Sequence, residues 1–583
     1  MKVKHMTHNA SVDFTAHPVP DALNGLSRRN MLSWATALTA GSVSSLLSGC
    51  GPSSSDTVDT LVEPPVLTAV NNQISMDLSL EYAKQSMRVA QTTDANIFPS
   101  QATWVNTSLR RYNGAAFAPT LRLRPGDTLK IQLINRLPTS PTGQSALRYL
   151  NNQNATNLHF HGLHVDPREI RAGVFGDYVV DTPLAGVMPG EVRQHEVAIP
   201  ANHSSGIFWY HPHLHGSSGG QVSSGMFGAI LIDDPTHRLF DPEKIRERVI
   251  FVHKLNLNSM GKTDSFYDSL ATASAFMLNG VHQPTMVMRP GEVQVWHFIN
   301  SATFFPFNPV LDGHTMQAFA RDGDAFSQVF RAVNATTAAD FSVANWPSGM
   351  LYPGNRLSVF VKASDTPGDY FLRSLKAPQA PFAETEEVVA RVRVEGTPVN
   401  VSMPAATALP TFAELSPITD VELASGGGKT RSLILAVLDK TDTRLPQPLP
   451  TNEEWFVPVG DGADFFADLV FVSGDNAAGS VLAPFQSPLA TSQTVTLNDV
   501  EEWTIYNPYG GYPHPFHIHV NDSYVVKVNG TVVTPYWADT LPVPVGGSIT
   551  FRMRFADFKG KLVWHCHALD HEDLGMMQLV EIV

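Results

Sequence analysis

The sequence predicts an all-β fold made of three β-sandwich domains in tandem. The 583-residue chain contains 42 prolines and 41 glycines, a frequency typical of short strands joined by tight turns. A turn followed by an alternating apolar strand occurs three times, as RPGDTLKIQLIN at 124–135, RPGEVQVWHFIN at 289–300 and, more loosely, NDVEEWTIYN at 498–507. Another segment recurs without gaps, as GIFWYHPH at 206–213, GDYFLRSL at 368–375 and GKLVWHCH at 560–567. These repeats indicate three copies of one β module.

The first fifty residues have the pattern of an export signal. SRRNML at 27–32 is a twin-arginine (Tat) motif, followed by an apolar run rich in small residues at 34–47. LSGC at 47–50 resembles the end of a bacterial lipoprotein signal, in which Cys50 is lipidated after cleavage. Cleavage elsewhere by ordinary signal peptidase, with loss of Cys50, is the alternative. Both interpretations predict the Tat machinery as a partner and a periplasmic or cell-envelope location, and only the first adds membrane contact, through a lipid anchor at Cys50.

The repeat spacing divides the rest of the chain. Residues 51–65 are rich in Ser, Pro and Thr and are predicted to be a flexible tether. The predicted domains are residues 66–235 (domain 1), 236–405 (domain 2) and 406–583 (domain 3). Residues 438–479 have no sequence counterpart in the first copy and are predicted to be a loop-rich insertion.

Charge and cysteine content restrict the function. The formal net charge is −14, which argues against nucleic acid as a partner. No stretch after residue 50 has the apolar length of a membrane-spanning helix. With Cys50 in the leader, Cys566 has no disulfide partner, so a cysteine in an oxidising compartment needs another role.

Four histidine pairs lie on strand-like sequence, in HFH at 159–161, HPH at 211–213, HPFHIH at 514–519 and HCH at 565–567. Residues two apart on a strand share a face, so each pair can bind one metal ion or two neighbouring ions. The pairs occupy matched positions in the first and third modules, whereas the second has Arg373 and Leu375. We therefore expect eight histidines to meet where domain 1 docks against domain 3.

Cys566 is expected to serve a separate site, because on a strand it points away from His565 and His567. A thiolate, two imidazoles and a weakly bound methionine are the ligands of a blue-copper electron-transfer site. His571 and Met576 follow in the next loop, and His514, which is left over from the pairs, supplies the second imidazole. The remaining histidines are predicted to be supporting (His164, His215) or ordinary (His203, His282, His297, His314).

The motifs H-x-H-G, W-Y-H-x-H, H-P-x-H-x-H and H-C-H-x3-H-x4-M together resemble those of three-domain bacterial multicopper oxidases of the laccase and cuprous-oxidase type. The resemblance covers the chain from about residue 70 to 583. It implies cupredoxin-like Greek-key β-sandwich domains and four copper ions per chain. The ligands it implies are His514, Cys566, His571 and Met576 for type 1 copper; His159 and His517 for type 2; His161, His211 and His567 for one type 3 copper; and His213, His519 and His565 for the other.

The resemblance also implies two proton-carrying carboxylates. Glu572, directly after the ligand His571, matches an acidic position that family members use as a proton relay. Asp177 resembles an acidic residue found shortly after the first motif, although the segment 165–171 is longer than in some relatives. An ordinary solvated carboxylate is the alternative for each.

The implied activity is laccase-like, with one-electron oxidation of phenols or aromatic amines coupled to reduction of O2 to water. A cuprous-ion oxidase for copper tolerance is the alternative, because the tail HCHALDHEDLGMM is similar to that group. The 17 methionines are dispersed, however, and a Cu(I) entry site is expected to be rich in thioethers. A copper-sequestering protein is the non-enzyme alternative, but it would not need histidine pairs at matched positions in two repeats.

Overall fold

The computed structural model describes fifteen stretches of the chain, namely residues 60–90, 98–99, 102–115, 117–139, 154–180, 186–255, 275–326, 330–334, 349–377, 386–405, 409–445, 469–477, 480–485, 491–508 and 511–583. The predicted export signal and most of the predicted tether lie outside these residues. Within them the chain is nearly all β, with short helices α1 (Ser218–Ser223), α2 (Asp420–Ser425) and α3 (Leu569–Asp573). No described helix has the length and apolarity needed to cross a membrane.

Domain 1 is a sandwich of two sheets. Its strands are β1 (Val66–Thr68), β2 (Gln73–Ala90), β3 (Ala102–Tyr112), β4 (Thr120–Leu123), β5 (Thr128–Asn135), β6 (His159–His161), β7 (Glu169–Arg171), β8 (Val174–Phe175), β9 (Val192–Ala198), β10 (Gly206–His211) and β11 (Gly228–Ile232). One sheet has the order β3-β2-β5-β9-β8-β7 and the other β1-β4-β11-β10-β6. The repeated sequence alternation appears directly in β5, whose residues are alternately half-buried and buried against the apolar core.

Domain 2 has the same construction. Its strands are β12 (Arg246–Lys254), β13 (Phe276–Leu278), β14 (Val281–His282), β15 (Thr285–Met288), β16 (Val293–Asn300), β17 (Pro309–Leu311), β18 (Met316–Arg321), β19 (Asp324–Ala325), β20 (Arg331–Val333), β21 (Arg356–Lys362), β22 (Gly368–Ser374) and β23 (Glu387–Val394). One sheet runs β14-β13-β12-β16-β21-β18-β19, with β20 paired to β18, and the other runs β15-β23-β22-β17.

Domain 3 repeats the pattern. Its strands are β24 (Lys429–Asp439), β25 (Leu469–Asp475), β26 (Thr491–Val495), β27 (Val500–Asn507), β28 (His514–Ile518), β29 (Ser523–Val528), β30 (Thr531–Ala538), β31 (Thr540–Val543), β32 (Gly547–Arg554), β33 (Gly560–Cys566) and β34 (Met577–Ile582). Its sheets have the orders β25-β24-β27-β32-β29-β30 and β26-β34-β33-β28-β31.

The predicted three-fold repeat is confirmed by strand order. The first recurring segment forms β5, β16 and β27, each flanked by the equivalent neighbours β2 and β9, β12 and β21, and β24 and β32. The segment that aligns without gaps forms β10, β22 and β33, each lying between two equivalent strands of the smaller sheet. The domain boundaries at 235 and 405 stay predictions.

The prediction that residues 438–479 form a loop-rich insertion was partly wrong. Within that range, β25 (Leu469–Asp475) pairs antiparallel with β24, as β3 pairs with β2 in domain 1. The segment therefore has a structural counterpart in the first copy, although the two hairpins share no recognisable sequence. A two-stranded pairing needs only a period of two in burial, so very different side chains can form it. Residues 446–468 lie outside the described residues.

The three domains meet beside the histidine-bearing strands. One apolar cluster joins Ile207 and Trp209 of β10, Phe251 and Ile299 of domain 2, and Leu569 of α3. A polar contact adds to it, since the Asp573 carboxylate at the end of α3 accepts hydrogen bonds from the backbone N–H groups of Gly216 (2.7 Å), Ser218 (3.2 Å) and Gly219 (2.8 Å). These contacts fix domain 1 against domain 3, which is where the paired histidines were expected to meet.

Candidate metal centres

Four strands bring the eight paired histidines together. In domain 1, β6 pairs with β10 and sets His159 opposite His211; in domain 3, β28 pairs with β33 and sets His517 opposite His565. All eight side chains are buried. Burial lowers the pKa of His159 and of His161 well below the ordinary value, which leaves these imidazoles neutral and able to bind a metal ion.

The first histidine cluster consists of His213, His519 and His565. Their Nε2 atoms are 3.0 Å apart for His213 and His565, 3.2 Å for His213 and His519, and 3.4 Å for His519 and His565. His565 Nδ1 donates to the Cys566 carbonyl at 3.1 Å, which puts the His565 lone pair on Nε2. The Nδ1 atoms of His213 and His565 also lie 3.4 Å and 3.2 Å from the Glu572 carboxylate, which favours the same tautomer. Lone pairs facing one another repel unless a cation lies between them. Three nitrogens at about 2.0 Å from one metal ion are about 3.5 Å apart, so the spacing fits a metal site.

The second histidine cluster consists of His161, His211 and His567, whose ligand atoms lie within 4.8 Å of one another. His567 Nε2 is 3.2 Å from His161 Nδ1. His211 binds the carbonyl of Pro212 through Nδ1 (2.9 Å), and its buried Nε2 has no hydrogen-bond partner among the described residues. A buried nitrogen without a partner is costly, and a metal ion would satisfy it.

The third histidine cluster consists of His159 and His517, with His161 within 4.8 Å of both. His159 Nδ1 lies 2.9 Å from Asp177, and His517 Nδ1 lies 2.8 Å from the carbonyl of Asp539. Both contacts leave Nε2 buried and without a hydrogen-bond partner in the described part of the chain. Two unpartnered Nε2 atoms beside the other two clusters suit a third metal ion.

The cysteine site lies on the other face of β33. Cys566 Sγ is 3.6 Å from Nδ1 of His514 and 3.6 Å from Nδ1 of His571, and the two Nδ1 atoms are 3.2 Å apart. Met576 is fully buried in the same apolar cluster as Cys566, whose backbone N–H donates to the Met576 carbonyl at 3.0 Å. Burial raises the pKa of the Cys566 thiol well above the ordinary value, so a bound metal ion is needed to hold it as a thiolate.

Aromatic rings surround His571 of the cysteine site. Its ring centroid is 5.0 Å from Phe471, 5.6 Å from Phe304 and 5.9 Å from Tyr512, and Phe304 stacks on Tyr512 at 4.3 Å. His571 is 6% exposed, whereas His514 is 1% exposed. His571 is therefore the more accessible of the two imidazoles of the cysteine site.

The two predicted carboxylates are both buried beside the clusters. Glu572 contacts His213 and His565 as described above and accepts a hydrogen bond from Ser218 Oγ at 3.0 Å. Burial by itself would raise the pKa of Glu572, but the neighbouring imidazoles lower it to about 2. Asp177 accepts a hydrogen bond from the Phe160 N–H (2.9 Å) as well as contacting His159, and burial raises its pKa to about 8. Neither is an ordinary solvated carboxylate.

The other histidines lie outside these clusters. His164 contacts the Val520 carbonyl through Nδ1 at 2.8 Å and Asp557 through Nε2 at 2.9 Å. His215 packs its ring on Phe485 at 5.2 Å. In domain 2, Arg373 occupies the position of the lost histidine and binds Asp312 at 3.0 Å. No metal-type cluster occurs among the described residues of domain 2.

Three residues near the histidine clusters were not predicted from the sequence, namely Arg356, Asp539 and Asp573. Asp573 carries a weak signal, since it follows Glu572 in the acidic run after His571. Arg356 and Asp539 match no motif, because they come together only after three domains have packed.

Comparisons with known proteins find matches over most of the chain. Three family models, each described as "Multicopper oxidase", match residues 92–237, 253–391 and 475–583, together roughly two thirds of the chain. A multicopper oxidase of Staphylococcus haemolyticus is 21% identical over 486 residues, covering 81% of this chain and 83% of its own.

Solved structures show the same fold. A multicopper oxidase from Campylobacter jejuni, described as a metallo-oxidase, superposes with a TM-score of 0.65 at 20% identity and covers 90% of this chain and 95% of its own. A laccase-like multicopper oxidase from the lignin-degrading bacterium Ochrobactrum sp., described as active towards lignin model compounds, superposes with a TM-score of 0.62 at 18% identity and covers 90% of this chain and all of its own.

Proposed function

This chain belongs to the multicopper oxidase family, and we propose that it couples the one-electron oxidation of phenolic or aromatic-amine donors to the four-electron reduction of O2 to water. One observation carries the proposal. Cys566 of the cysteine site stands between His565 of the first histidine cluster and His567 of the second. A site that accepts electrons is thus joined by one short stretch of backbone to two sites able to hold metal ions side by side.

The donor sets favour copper in each centre. A thiolate with two imidazoles and a methionine is a blue-copper ligand set, and imidazole clusters also suit copper. We assign type 1 copper to His514, Cys566, His571 and Met576; type 2 to His159 and His517; and the type 3 pair to the second and first histidine clusters. Bound copper would supply electron transfer at the cysteine site and reduction of O2 at the histidine clusters.

The protein's own residues prepare this chemistry. His571 offers the more exposed imidazole edge to a donor, and the buried rings packed around it make its surroundings apolar, which favours an uncharged aromatic donor over a hydrated ion. Met576 rather than a non-ligating side chain suggests a low-to-moderate type 1 potential. Burial of the eight cluster histidines excludes water, so O2 would react in a closed space.

We propose that Glu572 and Asp177 transfer the four protons that water formation consumes. Each touches an imidazole of a histidine cluster directly. We expect Glu572→Gln to slow O2 reduction about 10²-fold, in the range typical of a lost proton-transfer group, while the blue site stays reducible by donors. Stopped-flow reduction of the blue band and re-oxidation by O2 would separate the two steps, and Ser218→Ala provides a control that removes one hydrogen bond and keeps the carboxylate. An unchanged re-oxidation rate in Glu572→Gln would remove its proton role.

A cuprous-ion oxidase is the second candidate, since the C-terminal motif is similar to that group and the structural relative from C. jejuni is described as a metallo-oxidase. Oxygen uptake by the copper-loaded protein, measured side by side with a phenol and with Cu(I), distinguishes the two. We expect kcat/KM to be at least about tenfold higher for the phenol, because a tenfold preference needs only about 1.4 kcal/mol from the aromatic contacts. A preference for Cu(I) would assign the second function, and no uptake with either donor would refute both.

We further propose Tat export with Cys50 as the anchoring residue. Support comes from the sequence alone, in SRRNML at 27–32 and LSGC at 47–50. Replacing Arg28 and Arg29 by lysine should retain the protein in the cytoplasm, and Cys50→Ala should move it from a detergent-rich to an aqueous phase. Unchanged fractionation of these two variants would refute export by this route and lipidation, respectively.

A further inference from the structure

Domain 2, which holds no metal-type cluster among its described residues, contributes a buried arginine to the copper centre of the other two domains. Arg356 opens β21 and is fully buried. Its Nε donates to the carbonyl of Ile207 in domain 1 at 3.2 Å. Its guanidinium carbon lies 5.7 Å from the ring centroid of Phe208, the next residue of β10. The Arg356 side chain of domain 2 thus contacts the domain 1 strand that ends in His211.

The same guanidinium grips a carboxylate of domain 3. Nη1 donates to Asp539 Oδ1 at 2.8 Å and Nη2 lies 2.6 Å from Oδ2, a two-point ion pair. The remaining N–H groups donate to the carbonyls of Gly354 (3.3 Å) and Asp322 (2.6 Å). Arg356 therefore donates four hydrogen bonds and makes one further ion-pair contact, with partners drawn from three domains.

Asp539 is the link to the histidine clusters. Its Oδ1 lies 3.2 Å from His161 Nε2, and its backbone carbonyl lies 2.8 Å from His517 Nδ1. Asp539 Oδ1 accepts hydrogen bonds from Arg356 Nη1 (2.8 Å) and Thr540 Oγ1 (2.8 Å), so it faces His161 as an acceptor and His161 carries its proton on Nε2. The lone pair of His161 is then on Nδ1, the atom that faces His567.

Two glycines keep this arrangement compact. Gly162, directly after His161, has φ +84°, and an added Cβ would lie 2.3 Å from Arg356 Nη2 and 2.5 Å from Asp539 Oδ2. At Gly354 of domain 2 an added Cβ would lie 2.9 Å from the His567 ring. The glycine of the H-x-H-G motif is therefore required by the guanidinium, and domain 2 also abuts a second cluster ligand.

We propose that Arg356 is a positioning residue of the copper centre, which acts through Asp539 to fix the ring orientation and tautomer of His161 and the orientation of His517. The proposal rests on the assignment of copper to the histidine clusters. It gives domain 2 a part in the metal chemistry of the other two domains.

Arg356→Lys tests the proposal, because lysine keeps the charge but cannot reproduce the planar five-donor pattern. We expect the variant to retain its blue band, while copper at the histidine clusters is lost to a competing chelator with about tenfold lower affinity, as is typical when a partner of a metal-binding histidine is removed. The EPR signal of the copper assigned to His159 and His517 should change. Arg321→Lys is the matched control, a buried arginine of domain 2 that donates to Met350 and Asn355.

Asp539→Asn and the double variant that combines it with Arg356→Lys test whether Arg356 acts through Asp539. If Arg356 acts through Asp539, the double variant should lose no more copper affinity than the weaker-binding single variant. Additive losses would overturn action through Asp539. Two results would overturn the positioning role. One is wild-type copper affinity and a wild-type EPR signal in Arg356→Lys. The other is equal loss of copper affinity in Arg356→Lys and Arg321→Lys together with equal falls in the melting temperature of the copper-free protein. Failure of the copper-loaded wild type to oxidise any donor would refute the proposed function and leave this comparison of copper affinities intact.

Discussion

Replacing Cys566 by serine is expected to abolish the intense blue absorption and to reduce donor-dependent O2 uptake at least about 10³-fold, a loss of the size seen when one member of an interdependent catalytic set is removed. Serine is nearly isosteric with cysteine, so the buried site should keep its shape. Its hydroxyl is a poor ligand, however, and Sγ is the atom that His514 and His571 approach at 3.6 Å. In the proposed function, electrons pass from that sulfur to His565 and His567.

The measurement is a comparison of copper content, visible spectrum and O2 uptake in the purified, copper-loaded variant. Cys566→Ser should lose one copper ion and retain those of the histidine clusters. Met576→Leu is the matched control, because it removes only the weak axial ligand and should keep the blue colour while raising the potential of the site. An intense blue band together with full turnover in Cys566→Ser would mean that the type 1 assignment is wrong.

The orientation of side chains on the strand that contains Cys566 was predictable from the sequence. A period of two placed His565 and His567 on one face and Cys566 on the other, and the structure agrees. The three-module architecture was also predictable, since alternation in β5, β16 and β27 is a local property of the chain. Local periodicity thus identified the strands, and the matched histidine pairs identified the surface where two domains meet.

Other features depend on contacts between distant residues. The sequence places His161 on β6. It does not show which of the two His161 nitrogens faces a metal ion, because that depends on the contact with Asp539, 378 residues away in the chain. Arg356 matched no motif and lies in the module that has lost its histidine pair. The pairing of β24 with β25 was not predicted for a related reason. It is equivalent to the pairing of β2 with β3 in strand order, whereas the side chains of the two pairs differ.

The contacts of domain 2 give it a role in the chain although its described residues form no metal-type cluster. Its Phe251 and Ile299 bury apolar surface against β10 and α3, while Arg356 and Gly354 contact ligands or the partners of ligands. Each histidine cluster takes some of its ligands from domain 1 and the others from domain 3. Because domain 2 contacts both domain 1 and domain 3, it reduces their freedom to separate, which lowers the entropic cost of assembling the centre.

Replacing His213 by alanine is expected to stop O2 consumption while leaving the blue site reducible by a donor. His213 Nε2 lies within 3.2 Å of both His519 and His565, so its loss removes one of three nitrogens converging on a point. It also removes the imidazole nearest Glu572 Oε1. Turnover should fall at least about 10³-fold, because the histidine clusters act as one unit. The cysteine site, on the opposite face of β33, keeps all its ligands.

Anaerobic reduction followed by rapid mixing with O2 measures the two half-reactions separately. In His213→Ala the blue band should bleach at the wild-type rate on addition of donor and should not return with O2. His203→Ala is the matched control, a buried imidazole of domain 1 that binds the carbonyl of Ser204 outside every cluster. It should cost some thermal stability through the cavity it leaves, yet re-oxidise at the wild-type rate. Normal O2 uptake by His213→Ala would contradict the assignment of the first histidine cluster, whereas failure of both variants would point to a general loss of the domain 1 fold.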